Sequence, residues 1–175
     1  MAVRVAVDGA KLLTAAALLV AMAVGYAASL LPSTSAVFAA LERRAAGDIV
    51  AVVFQRYAWV QYALLGAAMV LVALARQRYA AGTTLVVALM AGLLVLHLGW
   101  DANRRATANL KQAIVAMEQA EQTNPDTLAK ARASFGILHG VSMVMLLFVL
   151  VLGLTVAWIA GRDAVTASGL LRRLL

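Results

Sequence analysis

Two histidines stand alone as ionisable groups inside otherwise charge-free apolar stretches, and any chemistry within those stretches would begin with them. His97 lies in Ala81–Trp100 and His139 in Ala133–Gly161. Two imidazoles on facing helices are a ligand set for a haem. With Ala81 level with Ala160 on antiparallel helices, His97 sits about 24 Å from the shared edge and His139 about 32 Å, at 1.5 Å per residue. Both then lie toward the same end, staggered by roughly 8 Å along the axis. That stagger is awkward for one haem held between them. No third ligand converges to complete a metal site. The chain has no cysteine, which excludes thiolate metal sites, c-type haem attachment, disulfides and lipidated thiols. The plainer expectation is that each imidazole hydrogen-bonds a neighbouring carbonyl or side chain, so neither cofactor nor metal is assigned.

His139 has more company than His97. Ser142 follows three positions on and Phe135 precedes by one turn, so the three share a helical face. Gly136 and Gly140 form a small-residue track on an adjacent stripe where another helix can approach. A Ser–His pair invites a hydrolase reading, but no acidic orienter accompanies it and no strand-borne nucleophile turn exists. No catalytic residue is assigned. A structural hydrogen bond from His139 to a neighbouring helix is expected instead. Met143 and Met145 sit in a Val/Leu-rich run and read as core filler rather than a copper stripe.

The elements that carry these groups are long and greasy. Leu12–Leu31 and Tyr57–Ala75 are as free of charge as the two histidine-bearing runs. A helix of about 20 residues crosses the hydrocarbon of a bilayer. Apolar residues make up 64% of the chain and charged ones 13%, and the runs are apolar all round. A soluble bundle would show one apolar stripe per helix. The expectation is an all-α, polytopic membrane four-helix bundle forming a single domain. Its spans fall at about 12–31, 50–75, 81–100 and 133–160, with an extramembrane amphipathic helix over about 101–123. The first run also has the flanks of a signal peptide, with Arg4 and Lys11 before it and Ser33–Ala36 after it. It exceeds the roughly 7–15 residues of such a core, so a retained first helix is expected.

Local signals refine this plan. Gly25 with Ala21, Ala28 and Ser29 marks the expected packing seam of the first helix. Leu31-Pro32 is expected to end or kink it. Ser33 or Ser35 would then cap a short helix through Phe38, Leu41 and Glu42-Arg43-Arg44, stopped by Gly47. Helix two is expected to begin near Ile49. Arg56 reaches the headgroups along its own stem, the alternative being that it faces the bundle interior. Tyr57 and Trp59 fit an aromatic girdle. The short link Arg76–Gly82 forces an antiparallel hairpin. Beyond Trp100-Asp101, Ala106, Leu110, Ala113, Ile114 and Met117 recur at helical spacing, opposed by Arg104, Arg105, Lys111, Glu118 and Glu121. This segment either continues helix three or lies along the surface. Asn124-Pro125-Asp126 reads as a helix restart, with Asn as cap and Pro in the first turn.

The net charge of +7 arises from 15 basic and 8 acidic residues that flank the runs. Contact with anionic headgroups explains it, and Arg43, Arg44, Arg104 and Arg105 share one membrane face where phosphates could be held. Ordinary solvated flanking charge is the alternative. No basic cluster interleaved with aromatics exists to stack bases, so nucleic acid is excluded. Basic residues divide almost evenly between the two faces. The short, purely basic Arg76–Arg78 turn tips the termini toward the cytoplasm of a bacterial inner membrane.

The run Phe135-Gly136-Ile137-Leu138-His139-Gly140-Val141-Ser142 resembles the last helix of a bacterial four-helix membrane family. That family is described as a domain of unknown function and is related to eukaryotic transmembrane protein 205. Its members show a Phe, a Leu-His pair and a Ser here, matched by Phe135, Leu138-His139 and Ser142. A second signature after the first span matches Phe38, Leu41, Ala46-Gly47, and Phe54 with Tyr57, preceded by Pro32. The likeness runs from about residue 12 to 160. One departure is that Met145 and Leu146 stand where members often carry an Asn about one turn after the Ser. The resemblance implies a four-helix membrane fold and a structural polar motif of Phe135, His139, Ser142, Phe54 and Tyr57. The function expected is that of a non-enzymatic membrane protein: an accessory or stabilising subunit of a larger complex, or a self-associating bundle among lipids. The alternatives are a small oligomeric transporter or channel-like module and a haem-binding electron-transfer subunit using His97 and His139.

Overall fold

The computed structural model describes residues 2–78, 80–120 and 124–174, with side chains described over 9–42, 45–77, 83–120 and 124–166. Among the described residues the chain forms four helices: α1 (Ala2–Ala40), α2 (Arg43–Arg78), α3 (Ala80–Gln119) and α4 (Pro125–Leu174). Each is long and apolar enough to cross a membrane, over Gly9–Ala40, Ala45–Gln77, Thr83–Gln119 and Pro125–Thr166. In hydrocarbon every backbone N–H and C=O needs a partner within the segment, and a helix supplies one. The chain is an all-α, multi-pass integral membrane protein.

The distribution of side chains carries the same message. Trp59, Val95, Ile137 and Trp158 are each more than two-thirds exposed. Gln61, Thr83, His97 and Asp101 are buried. Large apolar groups outside and polar groups inside invert the water-soluble arrangement and suit a hydrocarbon solvent.

Buried positions recur at alternating spacings of three and four. On α1 they include Leu13, Ala16, Val20, Ala23 and Ala27, and on α3 Thr83, Val86, Met90, Leu93, His97 and Trp100. This is the spacing of a helix whose seam follows its neighbours along its length. The seam of α1 is not the one expected: Ala21, Gly25, Ala28 and Ser29 are all exposed. Ala16, Ala23 and Ala27 provide the close approach instead, and glycine on the outer face meets no neighbour within 4 Å.

The link between α1 and α2 also departs from expectation. α1 passes through Pro32 without ending there. The hydroxyls of Ser33, Thr34 and Ser35 donate to carbonyls of Ser29 and Leu31 at 2.8–3.1 Å. These serines therefore cap no separate short helix. Gly47 lies inside α2, which begins at Arg43 rather than near Ile49. Arg56 is exposed and does not face the bundle interior. Tyr57 is not part of an outer girdle: it is fully buried, 5.4 Å from the Tyr26 ring and 6.4 Å from Phe54. Trp59, two positions on, faces outward.

The polar segment after Trp100 continues α3 without a break to Gln119, which settles its two alternatives. Its inward stripe runs through Thr107 and Ile114, with Arg104 half-buried before them and Lys111 half-buried between them, while Ala106 is exposed. The restart is as expected: the Asn124 side chain accepts the Asp126 N–H at 2.9 Å, with Pro125 in the first turn.

Contacts divide the chain into two units. The first, residues 1–94 with 150–175, contains α1, α2, the start of α3 and the end of α4. There the Gln61 amide donates to the Ala23 carbonyl at 2.6 Å, joining α2 to α1. A Cβ placed on Gly153 would lie 2.5 Å from Val24 Cγ2, so α4 and α1 touch where glycine permits it. The second unit, residues 95–149, is an antiparallel pair made from the rest of α3 and α4.

Candidate functional site

The second unit holds the main concentration of polar side chains among the described residues. It starts from an acid placed three and four residues before two arginines, the spacings at which helical side chains meet. Arg104 brings Nε and Nη2 to Asp101 Oδ1 at 3.0 and 2.7 Å. Arg105 brings the same two atoms to Oδ2 at 3.0 and 2.6 Å. Exposure rises along this trio, from 2% for the Asp101 side chain to 19% for Arg104 and 64% for Arg105. The carboxylate is thus enclosed and the second guanidinium faces outward. Hydrogen bonds between ionised groups are roughly twice as strong as neutral ones, and burying the acid would be costly without them. With both oxygens engaged, Asp101 is poorly placed to accept a proton from a substrate.

His97 precedes Asp101 by one turn on the same inward stripe. It is fully buried, with its ring stacked on Trp100 at 5.5 Å and 27°. His139 occupies a different setting. It is exposed, and its ring lies parallel to Phe135 at 6.0 Å and 7°. One imidazole enclosed and the other on an outer face is not the arrangement that holds a haem between two ligands. Among the described residues no group of three or more His, Cys, Asp or Glu side chains could hold a metal ion.

The cross-helix hydrogen bond expected of His139 is made by another residue. Asn103 Nδ2 donates to the Leu138 carbonyl at 2.9 Å and to Ser142 Oγ at 2.6 Å. Ser142 therefore has an amide partner, supplied from α3 rather than from one turn further along α4. Thr107 Oγ1 donates back to the Asn103 carbonyl at 2.8 Å, and an exposed ion pair joins Arg132 to Glu118 at 2.8 Å. Of the motif residues, Phe135 and His139 meet in this unit, while Phe54 and Tyr57 meet in the first.

The arginines expected at headgroups differ in what the structure shows of them. Arg104 and Arg105 are a matched pair on Asp101, whereas Arg43 and Arg44 start α2 with side chains outside the described residues. The signal for Asp101 was present as i, i+3 and i, i+4 spacing; Asn103 and Gln61 gave none, because their partners lie 35 to 39 positions away.

Searches against family models, curated proteins and solved structures return no match for this chain.

Proposed function

We propose that the protein is a non-enzymatic membrane subunit that works by packing against other membrane helices, as an accessory or stabilising component of a larger complex. The observation that carries this reading is the open flank of α4 in the second unit. No residue from Asn124 to Met145 is buried. Ile137 is 68% exposed and Val144 55%, and a Cβ on Gly136 or Gly140 would meet nothing within 4 Å. Small residues beside an apolar face let a second backbone approach closely, which is how helices associate in lipid. The chemistry on offer is thin by contrast, and the one buried acid among the described residues, Asp101, is already occupied by two arginines.

The order of Pro32, Phe38, Phe54, Tyr57, Leu138-His139 and Ser142 supports placing the chain with the four-helix membrane family related to transmembrane protein 205. The proposed location is a bacterial inner membrane with cytoplasmic termini. Extraction from native membranes in mild detergent, followed by native mass spectrometry, tests the subunit reading. A fixed stoichiometry with a second polypeptide, or with further copies of this chain, supports it. A lone monomer at every detergent concentration refutes it. The optical spectrum of the same sample decides the electron-carrier alternative, since a Soret band would require haem.

A further inference from the structure

We propose that Asp101, Arg104 and Arg105 form a docking site for the phosphate of an anionic phospholipid, with Asp101 as the positioning residue. The level is right for such a ligand. The charge-free run that opens after Arg78, where α2 ends, closes at Trp100, about the 20 residues a helix needs to cross the hydrocarbon. Asp101 and the two arginines follow directly, in the layer where headgroup phosphates lie.

The geometry does more than put positive charge near a membrane. Arginines that follow an apolar span ordinarily extend as independent, mobile side chains. Here the enclosed carboxylate grips Nε and Nη2 of both guanidinium groups at 2.6–3.0 Å. It holds them as neighbours against their mutual repulsion. Two cations on one anion leave a positive charge in excess within the trio, and the exposure gradient places that excess toward Arg105. A guanidinium carries five N–H donors in a rigid fork and pairs with phosphate through two of them at once. Two such groups held side by side match the oxygens of one phosphate diester. Asp101 costs attraction and contributes order.

That opposition gives a clean test. Delipidated protein in neutral detergent is titrated with phosphatidylglycerol or with phosphatidylcholine, and bound lipid is counted by native mass spectrometry. The site predicts retention of phosphatidylglycerol over phosphatidylcholine. Arg105→Gln should weaken phosphatidylglycerol roughly fivefold, and Arg104→Gln with Arg105→Gln roughly 25-fold, at the usual worth of a basic residue near an anionic surface. Asp101→Asn discriminates: simple charge attraction would tighten binding, whereas a positioned site loosens it. Arg104→Lys with Arg105→Lys keeps both charges and removes the forks, and should also loosen binding severalfold whether or not the Asp101 variant folds. Equal retention of the two lipids, tighter binding by Asp101→Asn, or unchanged binding by the double lysine variant would each overturn the proposal. So would displacement of phosphatidylglycerol by millimolar inorganic phosphate, which would make the ligand a free anion.

Discussion

The two units of this protein solve the same problem with different materials. In the first, helices meet over alanines, Val20, Leu13 and Gly153, and the buried Gln61 amide crosses from α2 to the Ala23 carbonyl. In the second, α3 and α4 are tied by Asn103 to Leu138 and Ser142 and by Glu118 to Arg132, and α3 carries the Asp101–arginine trio. Hydrocarbon gives apolar side chains no reason to leave it, so helices associate through close packing and hydrogen bonds. The first unit relies chiefly on closeness, the second on polar ties. The difference predicts where each tolerates change.

The largest effect should come from the polar side. Asp101→Ala removes the shared partner of two arginines and opens a buried position. Breaking a buried ion pair costs about 3–5 kcal/mol, and partial exposure of the arginines brings the expectation to about 2–4 kcal/mol. Unfolding in mixed SDS micelles, followed by tryptophan fluorescence, measures it. A change under about 1 kcal/mol would mean that surroundings, not the carboxylate, hold the arginines. Gly153→Ala attacks closeness in the first unit. Its new Cβ at 2.5 Å from Val24 Cγ2 meets a β-branched side chain with little rotamer freedom. Overpacking of that kind costs about 1–3 kcal/mol. Truncating the partner with Val24→Ala should restore most of the loss. Failure of that rescue would place the clash on the backbone. Gln61→Leu comes next, at about 0.6 kcal/mol and no more than about 1.7, the range measured for hydrogen bonds between membrane helices.

The spans were legible because length without charge is a one-dimensional property. Which face of each span turns inward was not, because lipid and core both select apolar residues. Gly25 drew the seam of α1 to the wrong side for this reason: small size permits contact without compelling it, and Ala23, two positions away, is the contact. Tyr57 misled similarly, since an aromatic near an apparent membrane edge fits a girdle until α2 proves to start at Arg43. Asp101 reads as the residue that closes a span, and its role as the anchor of the polar cluster emerges only with the structure. Its arginines were visible at helical spacing. The amide ties of Gln61 and Asn103 depend on how helices rotate against one another, which no local pattern records.

The smallest expected effect on stability is also the most informative about the open flank of α4. Gly140→Ala adds a methyl group where nothing lies within 4 Å, in the middle of a long helix. Glycine in a helix interior is less favourable than alanine by roughly 0.5–1 kcal/mol, so the substitution should leave the isolated protein unchanged or slightly more stable. That is the opposite sign from Gly153→Ala, with identical chemistry. A second backbone seated on this face in the native membrane would reverse the outcome there. Gly140→Leu would then lower recovery of the assembly while the isolated chain unfolds at the same SDS fraction as before. Equal recovery of assembly from wild type and Gly140→Leu would mean that the flank faces only lipid, and would move the proposed contact to another face.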